Sequence, residues 1–143
     1  MTSKLFLIAR IAGRAVAIDS DQVESVVDVP EITPVPGAGA VVHGLAALRS
    51  RVVTVIDTCI ALDLPPSERA ARRAVITHVD GHHYALPVDQ LEDVAMFDLL
   101  PLSDGLAIEG GWARAAAGLI VREGDPMLAI DLRALIPGLA AAA

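Results

Sequence analysis

"DQVESV" at residues 21–26 returns as "DQLEDV" at residues 89–94, with Asp, Gln, Glu and Val kept at an offset of 68. Working outward, Gly13 and Ala17 match Gly81 and Ala85 at the same offset. Further on the spacing becomes 74: Gly44-Leu45 matches Gly118-Leu119, and Ile56-Asp57 matches Ile130-Asp131. Matches in the same order with one change of spacing read as a duplicated unit, the second copy carrying six extra residues in a loop. Short strands separated by turn signals make that unit β-rich.

The elements follow from local pattern. Leu5–Ile11 and Ala15–Ile18 are apolar runs around a Gly-containing turn at Ala12–Arg14, which is a hairpin signal. Asp19 and Ser20 suit the start of a helical turn, and Val23, Val26, Val27 and Val29 then favour a strand. "PEITPVPGAG" (30–39) is a turn-rich loop. Strands are expected at 43–48 and 51–56, meeting at Arg49-Ser50, with a short helix capped by Asp57 after them. "PPSERAARR" (65–73) links the halves. The second half repeats the plan: strand, turn at Asp80-Gly81, strand, helical turn, strand, a loop over 98–112, two strands around Glu123–Pro126, and a helical turn after Asp131. Each half thus supplies about five strands, enough to curl into a small barrel, and two such barrels stabilise each other by sharing apolar surface.

Composition narrows the function. Apolar residues reach 54%, so a core can form, and aromatics are only 3%, so Val, Leu, Ile and Ala must build it. A net charge of −7 argues against nucleic acid or an anionic membrane as the main partner. A single cysteine, Cys59, allows no internal disulfide and fits a reducing compartment. No signal peptide or run of membrane-spanning length is seen, so a cytoplasmic, non-embedded protein is expected.

The chain resembles the CheW-like family, the coupling proteins of bacterial chemotaxis. The resemblance rests on "FLIARIAGRAVAIDSDQVESVV" (6–27), "VPEITPVPGAGAVVHGLAALRSRVVTVIDT" (29–58), "GHHYALPVDQLEDV" (81–94) and "GLIVREGDPMLAIDLRALI" (118–136). It implies an all-β fold of two tandem SH3-like five-stranded β-barrels with short helical turns. It implies one CheW-like domain over 1–143, with subdomain 1 at approximately 14–68 plus terminal contributions and subdomain 2 at approximately 72–138. It also implies a noncatalytic adaptor joining a methyl-accepting chemoreceptor tip to the regulatory domain of a CheA-type histidine kinase, at membrane-anchored receptor arrays. An adaptor of a non-flagellar receptor–kinase pathway is the alternative within the family.

The resemblance carries roles to particular residues. Arg49 falls on the arginine of the family's Asn-Leu-Arg-Gly turn, written here Ala47-Leu48-Arg49-Ser50, and is associated with receptor and array function. Gly44 falls on the glycine of its basic-Gly pair, with His43 as the preceding residue. Val23 and the face near Ser25 fall on the strand associated with kinase contact. Adjacent strand residues face opposite ways, so of Val26 and Val27, and of Val52 and Val53, one is expected inside and one toward a partner. Gly44 reads equally as a site of close approach or as a bulge glycine, and Trp112 equally as an interface anchor or as a cover over a barrel end.

His78 and His82 lie across the Asp80-Gly81 turn, and two imidazoles bind zinc or nickel, but His82 and His83 face opposite ways and no third ligand is placed beside them. The recurring Asp and Glu read as capping and solvated charge. No G-x-S-x-G elbow or phosphate loop is present. No cofactor, metal or catalytic residue is therefore expected.

Overall fold

The computed structural model describes residues 3–29, 31–37, 39–48, 50–66, 73–102 and 108–136. Among the described residues ten strands carry the fold. They are β1 (Ser3–Ile11), β2 (Arg14–Asp19), β3 (Ser25–Asp28), β4 (Val42–Leu48), β5 (Arg51–Ile56), β6 (Arg73–Val79), β7 (His82–Val88), β8 (Gln90–Asp98), β9 (Ala116–Arg122) and β10 (Asp125–Ile130). Short helices α1 (Thr58–Ala61) and α2 (Gly110–Ala115), with 3-10 turns at Ser20–Gln22 and Leu132–Leu135, complete it.

Three hairpins turn on X-Gly pairs, Ala12-Gly13, Asp80-Gly81 and Glu123-Gly124, in which both residues have positive φ. That is the turn whose twist matches the flanking strands.

The two sheets have one plan. Sheet A runs β8-β1-β2-β10-β9 and sheet B runs β3-β6-β7-β5-β4. Under the sequence repeat these are the same order, and the parallel register agrees: Leu128 pairs with Val16 as Thr54 pairs with Tyr84. The halves, however, have exchanged hairpins. β1-β2 joins the last three strands of the second half, and β6-β7 joins the last three of the first. A boundary near residues 68–72 therefore separates the sequence repeats and not the sheets.

Each sheet closes into a barrel through one bridge. Thr33, beyond β3, exchanges backbone hydrogen bonds with Leu45 on β4 at 2.8 and 2.9 Å. Leu100, beyond β8, does the same with Leu119 on β9 at 2.7 and 2.9 Å. Both closures occur at a glycine. A Cβ on Gly44 would meet Thr33 O and lie 2.7 Å from Ile32 Cγ2; one on Gly118 would lie 2.6 Å from Leu100 O. Next to each glycine one residue, His43 or Ala117, is left out of the pairing with β5 or β10. This bulge bends the strand toward closure.

Strand alternation divides the core into three. Phe6, Ile8, Ala17, Ile120 and Ala129 fill barrel A. Ala46, Val53, Val55, Ala74, Ile76 and Ala85 fill barrel B. The intervening positions, among them Leu7, Val16, Ile18, Ile56, Val75, Leu86, Leu128 and Ile130, meet between the barrels in the largest cluster. The apolar run Phe6–Ala9 of β1 is thus explained: both faces of the strand are buried there.

The two copies of the opening hexapeptide differ in structure. A helical turn is expected in each; only the first has one. There Asp19 Oδ1 accepts from Asp21 N at 2.9 Å, and Gln22 Oε1 accepts from Leu132 N at 2.9 Å, which ties the turn to the other half. In the second copy the position of Asp19 is Pro87, which has no capping oxygen. Asp89 instead donates its N–H to Arg10 O and accepts from Gly13 N with its carboxylate, so the chain enters β8 directly along β1. The expected loop over 98–112 also contains more order than its Gly-rich sequence suggests. Gly110–Ala115 forms α2, because Gly111 is buried so tightly on the Leu62 backbone that any Cβ would strike it.

Candidate functional site

The strongest polar constellation sits at the mouth of barrel B. His78 and His83 are cross-strand partners on β6 and β7, on the same face as Ile76 and Ala85, and their rings stack at 4.4 Å. His83 Nε2 lies 2.6 Å from Arg51 Nη1 and 3.2 Å from the Glu24 carboxylate, and Arg51 Nη1 donates to the same carboxylate at 3.2 Å. Partial desolvation pushes the Glu24 carboxyl up, but the hydrogen bond and charge of His83, then those of Arg51, outweigh it and hold the group below its ordinary value. Beside this cluster a cleft of about 300 Å³, lined by Ser25, Val26, Val27, Leu48, Val53 and Ile76 among others, leads toward the barrel interior.

The residues expected to bind partners are placed unequally. Ser25 is exposed at this cleft. Val23 is not on the strand: it ends the 3-10 turn before β3 and packs, half-buried, against the shared core. Val26 and Val27 do point oppositely, but neither stands free in solvent; Val26 packs toward the shared core and Val27 toward the interior of barrel B. Val52 and Val53 divide as expected, Val52 being 63% exposed and Val53 fully buried. His43 is exposed and bulged, and Gly44 is buried beside it at the barrel closure, where the Thr33 backbone approaches closely. Arg49 lies outside the described residues. Trp112 is on α2 rather than in a loop; its ring packs against the shared core, and the Arg14 guanidinium lies 5.1 Å from its centre.

The histidine pair differs from the expected one by a single residue of register. His78 faces His83, whereas His82 is opposite Val79 and turns to the other face, toward Tyr84. Among the described residues no group of three His, Cys, Asp or Glu is placed to hold a metal. Burial raises the Cys59 thiol above its ordinary pKa, and the charges of Asp57 and Asp89 add to this, so the thiolate that a nucleophile requires is disfavoured.

One surface was not found from the sequence. Across β1 and β8, Leu5 pairs with Met96 and Leu7 with Val94, on the face that sends Leu7 into the shared core. Leu5, Val94 and Met96 are 41%, 54% and 58% exposed, an apolar patch on the outside of barrel A. The repeat gives the contrast: the counterparts of Leu5 and Met96 in barrel B are Arg73 and Asp28, an ion pair at 3.4 Å. Comparing the copies position by position would have exposed this change from charge to hydrocarbon.

Comparison with known proteins agrees with this architecture. The family model of the CheW-like domain matches residues 5–139. A chemotaxis protein CheW of Thermotoga maritima is 24% identical over 131 residues, which is 88% of this chain and 83% of that protein. The crystal structure of the scaffolding protein TtCheW from Thermoanaerobacter tengcongensis superposes with a TM-score of 0.79 at 21% identity, covering 96% of this chain and 92% of that one. Among the described residues no helix is long and apolar enough to cross a membrane.

Proposed function

The chain belongs to the CheW-like domain family, a family of noncatalytic chemotaxis scaffolds, and from that premise we propose that it joins a chemoreceptor tip to the regulatory domain of a CheA-type histidine kinase through separate surfaces on its two barrels. The observation that carries this reading is the chemical inequality of those barrels. Barrel A offers hydrocarbon at Leu5, Val94 and Met96, suited to the apolar stripe of a receptor helix. Barrel B offers the cleft by Ser25, with an apolar floor and a charged rim, suited to another small barrel. An adaptor must hold two partners at once, and two faces of unlike chemistry let each choose its own. Arg49 keeps the receptor and array role that the family's turn motif implies, apart from the two surfaces above, and Trp112 is assigned a supporting role behind barrel A.

The test separates the surfaces. Val94→Asp should weaken binding of a receptor cytoplasmic fragment by tenfold or more, on the order of 1.4 kcal/mol, while kinase binding is kept. Ser25→Arg should do the reverse. If both variants lose the same partner, or neither loses any, the two-surface reading is wrong.

A further inference from the structure

On the charged rim of barrel B one imidazole nitrogen stands between a donor and an acceptor. His83 Nε2 is within hydrogen-bonding distance of a donor, Arg51 Nη1 at 2.6 Å, and of an acceptor, the Glu24 carboxylate at 3.2 Å. A single ring nitrogen serves one of them at a time. Neutral, it accepts from Arg51 in the tautomer with its lone pair at Nε2 and donates to Glu24 in the other; protonated, it can only donate, and it repels the guanidinium. Imidazole is the side chain that ordinarily changes charge between pH 5 and 8.

The repeat shows that this is peculiar to one barrel. In barrel A the counterparts of His78 and Glu24 are Arg10 and Glu92, which form an ion pair at 3.3 Å, and Ala15 stands where His83 would be. That rim carries no imidazole at these positions. Barrel B has two histidines in place of one arginine and one alanine.

We propose that His83 is a proton-operated latch on the barrel B cleft: its protonation releases Arg51 and opens the mouth to the docking barrel. The proposal rests on the kinase-side reading above and adds its regulation. The groups that face the latch are known element by element: Glu24 from the lead-in to β3, Arg51 from β5 and His78 from β6, stacked on His83. Around the open side of His78 stand Asp21, Asp80 and Arg133. In the neutral state Arg51, which lines the cleft, is held by Glu24 and His83. In the charged state His83 takes Glu24, and Arg51 turns out to meet a carboxylate on the incoming partner. Because these side chains are partly solvated, the effect is that of a surface ion pair, about threefold in affinity.

The experiment measures binding of the full chain to the kinase regulatory domain at pH 5.5 and pH 7.5. Wild type should bind about threefold more tightly at the lower pH. His83→Gln, which keeps an acceptor for Arg51 but cannot charge, should show no such change, and His78→Gln should keep it. Equal affinity of wild type at both pH values overturns the latch and leaves the docking intact. A second readout needs no partner: the Arg51 side-chain NMR signal should move with the His83 titration in wild type. If binding is absent at every pH, the docking reading fails, and this signal still decides the latch; a signal that stays still while His83 titrates overturns it.

Discussion

Alanine at Gly44 tests the closure of barrel B directly. Its Cβ would press on Thr33 O and lie 2.7 Å from Ile32 Cγ2, so the segment beyond β3 must retreat from β4. Two backbone hydrogen bonds between Thr33 and Leu45 are then lost, each worth about 1 kcal/mol net. Ile32, half-buried against the barrel B core, loses part of its packing as well, so the total is about 2–4 kcal/mol. Guanidinium unfolding followed by Trp112 fluorescence measures this as a lower midpoint at unchanged slope. Gly13→Ala is the control: a Cβ there meets nothing within 4 Å, and only the positive φ is penalised, at about 1 kcal/mol. A Gly44→Ala chain within about 0.5 kcal/mol of wild type would refute the closure argument. If it also lost a partner, Gly44 would belong to a docking face instead.

Two further outcomes are expected. The exchanged hairpins mean that neither half owns a complete sheet, so fragments 1–68 and 69–143 should each show no cooperative unfolding alone and regain β circular dichroism on mixing; either fragment folding by itself would count against the exchange. The Glu24 carboxyl sits below its ordinary value in the folded chain, so its contribution to stability is present above the unfolded carboxylate range and is lost as pH falls through the lowered value. The stability difference between wild type and Glu24→Gln should therefore shrink between pH 7 and pH 3, and a difference that stays constant would show that the cluster does not hold the carboxylate.

Much of the fold was legible because the repeat writes it twice. The strands 43–48 and 51–56, the turns at Gly13, Gly81 and Gly124, and the caps at Asp57 and Asp131 all stand where periodicity and turn chemistry put them. Hairpin exchange was not legible, since β1 and β2 carry the same local pattern whichever sheet they join; the choice is made by tertiary pairing, Leu7 with Val94 and Val16 with Leu128. The site was harder. Val23, Val26 and Val27 look like free strand residues, yet the cores on both sides of sheet B claim them. The Glu24–Arg51–His83 cluster joins residues 27 to 59 positions apart, which no short motif records. The six-residue insertion hid α2, because Gly110-Gly111 reads as a loop until the Leu62 backbone is packed against it.

Reciprocal lending of β1-β2 and β6-β7 also says something about descent. Two identical chains of about seventy residues that traded their leading hairpins would make this same molecule as a symmetric pair. The present chain is that pair written as one polypeptide. Once tethered, the copies were free to differ, and one could keep hydrocarbon where the other acquired charge, so a symmetric ancestor became a molecule with two different ends.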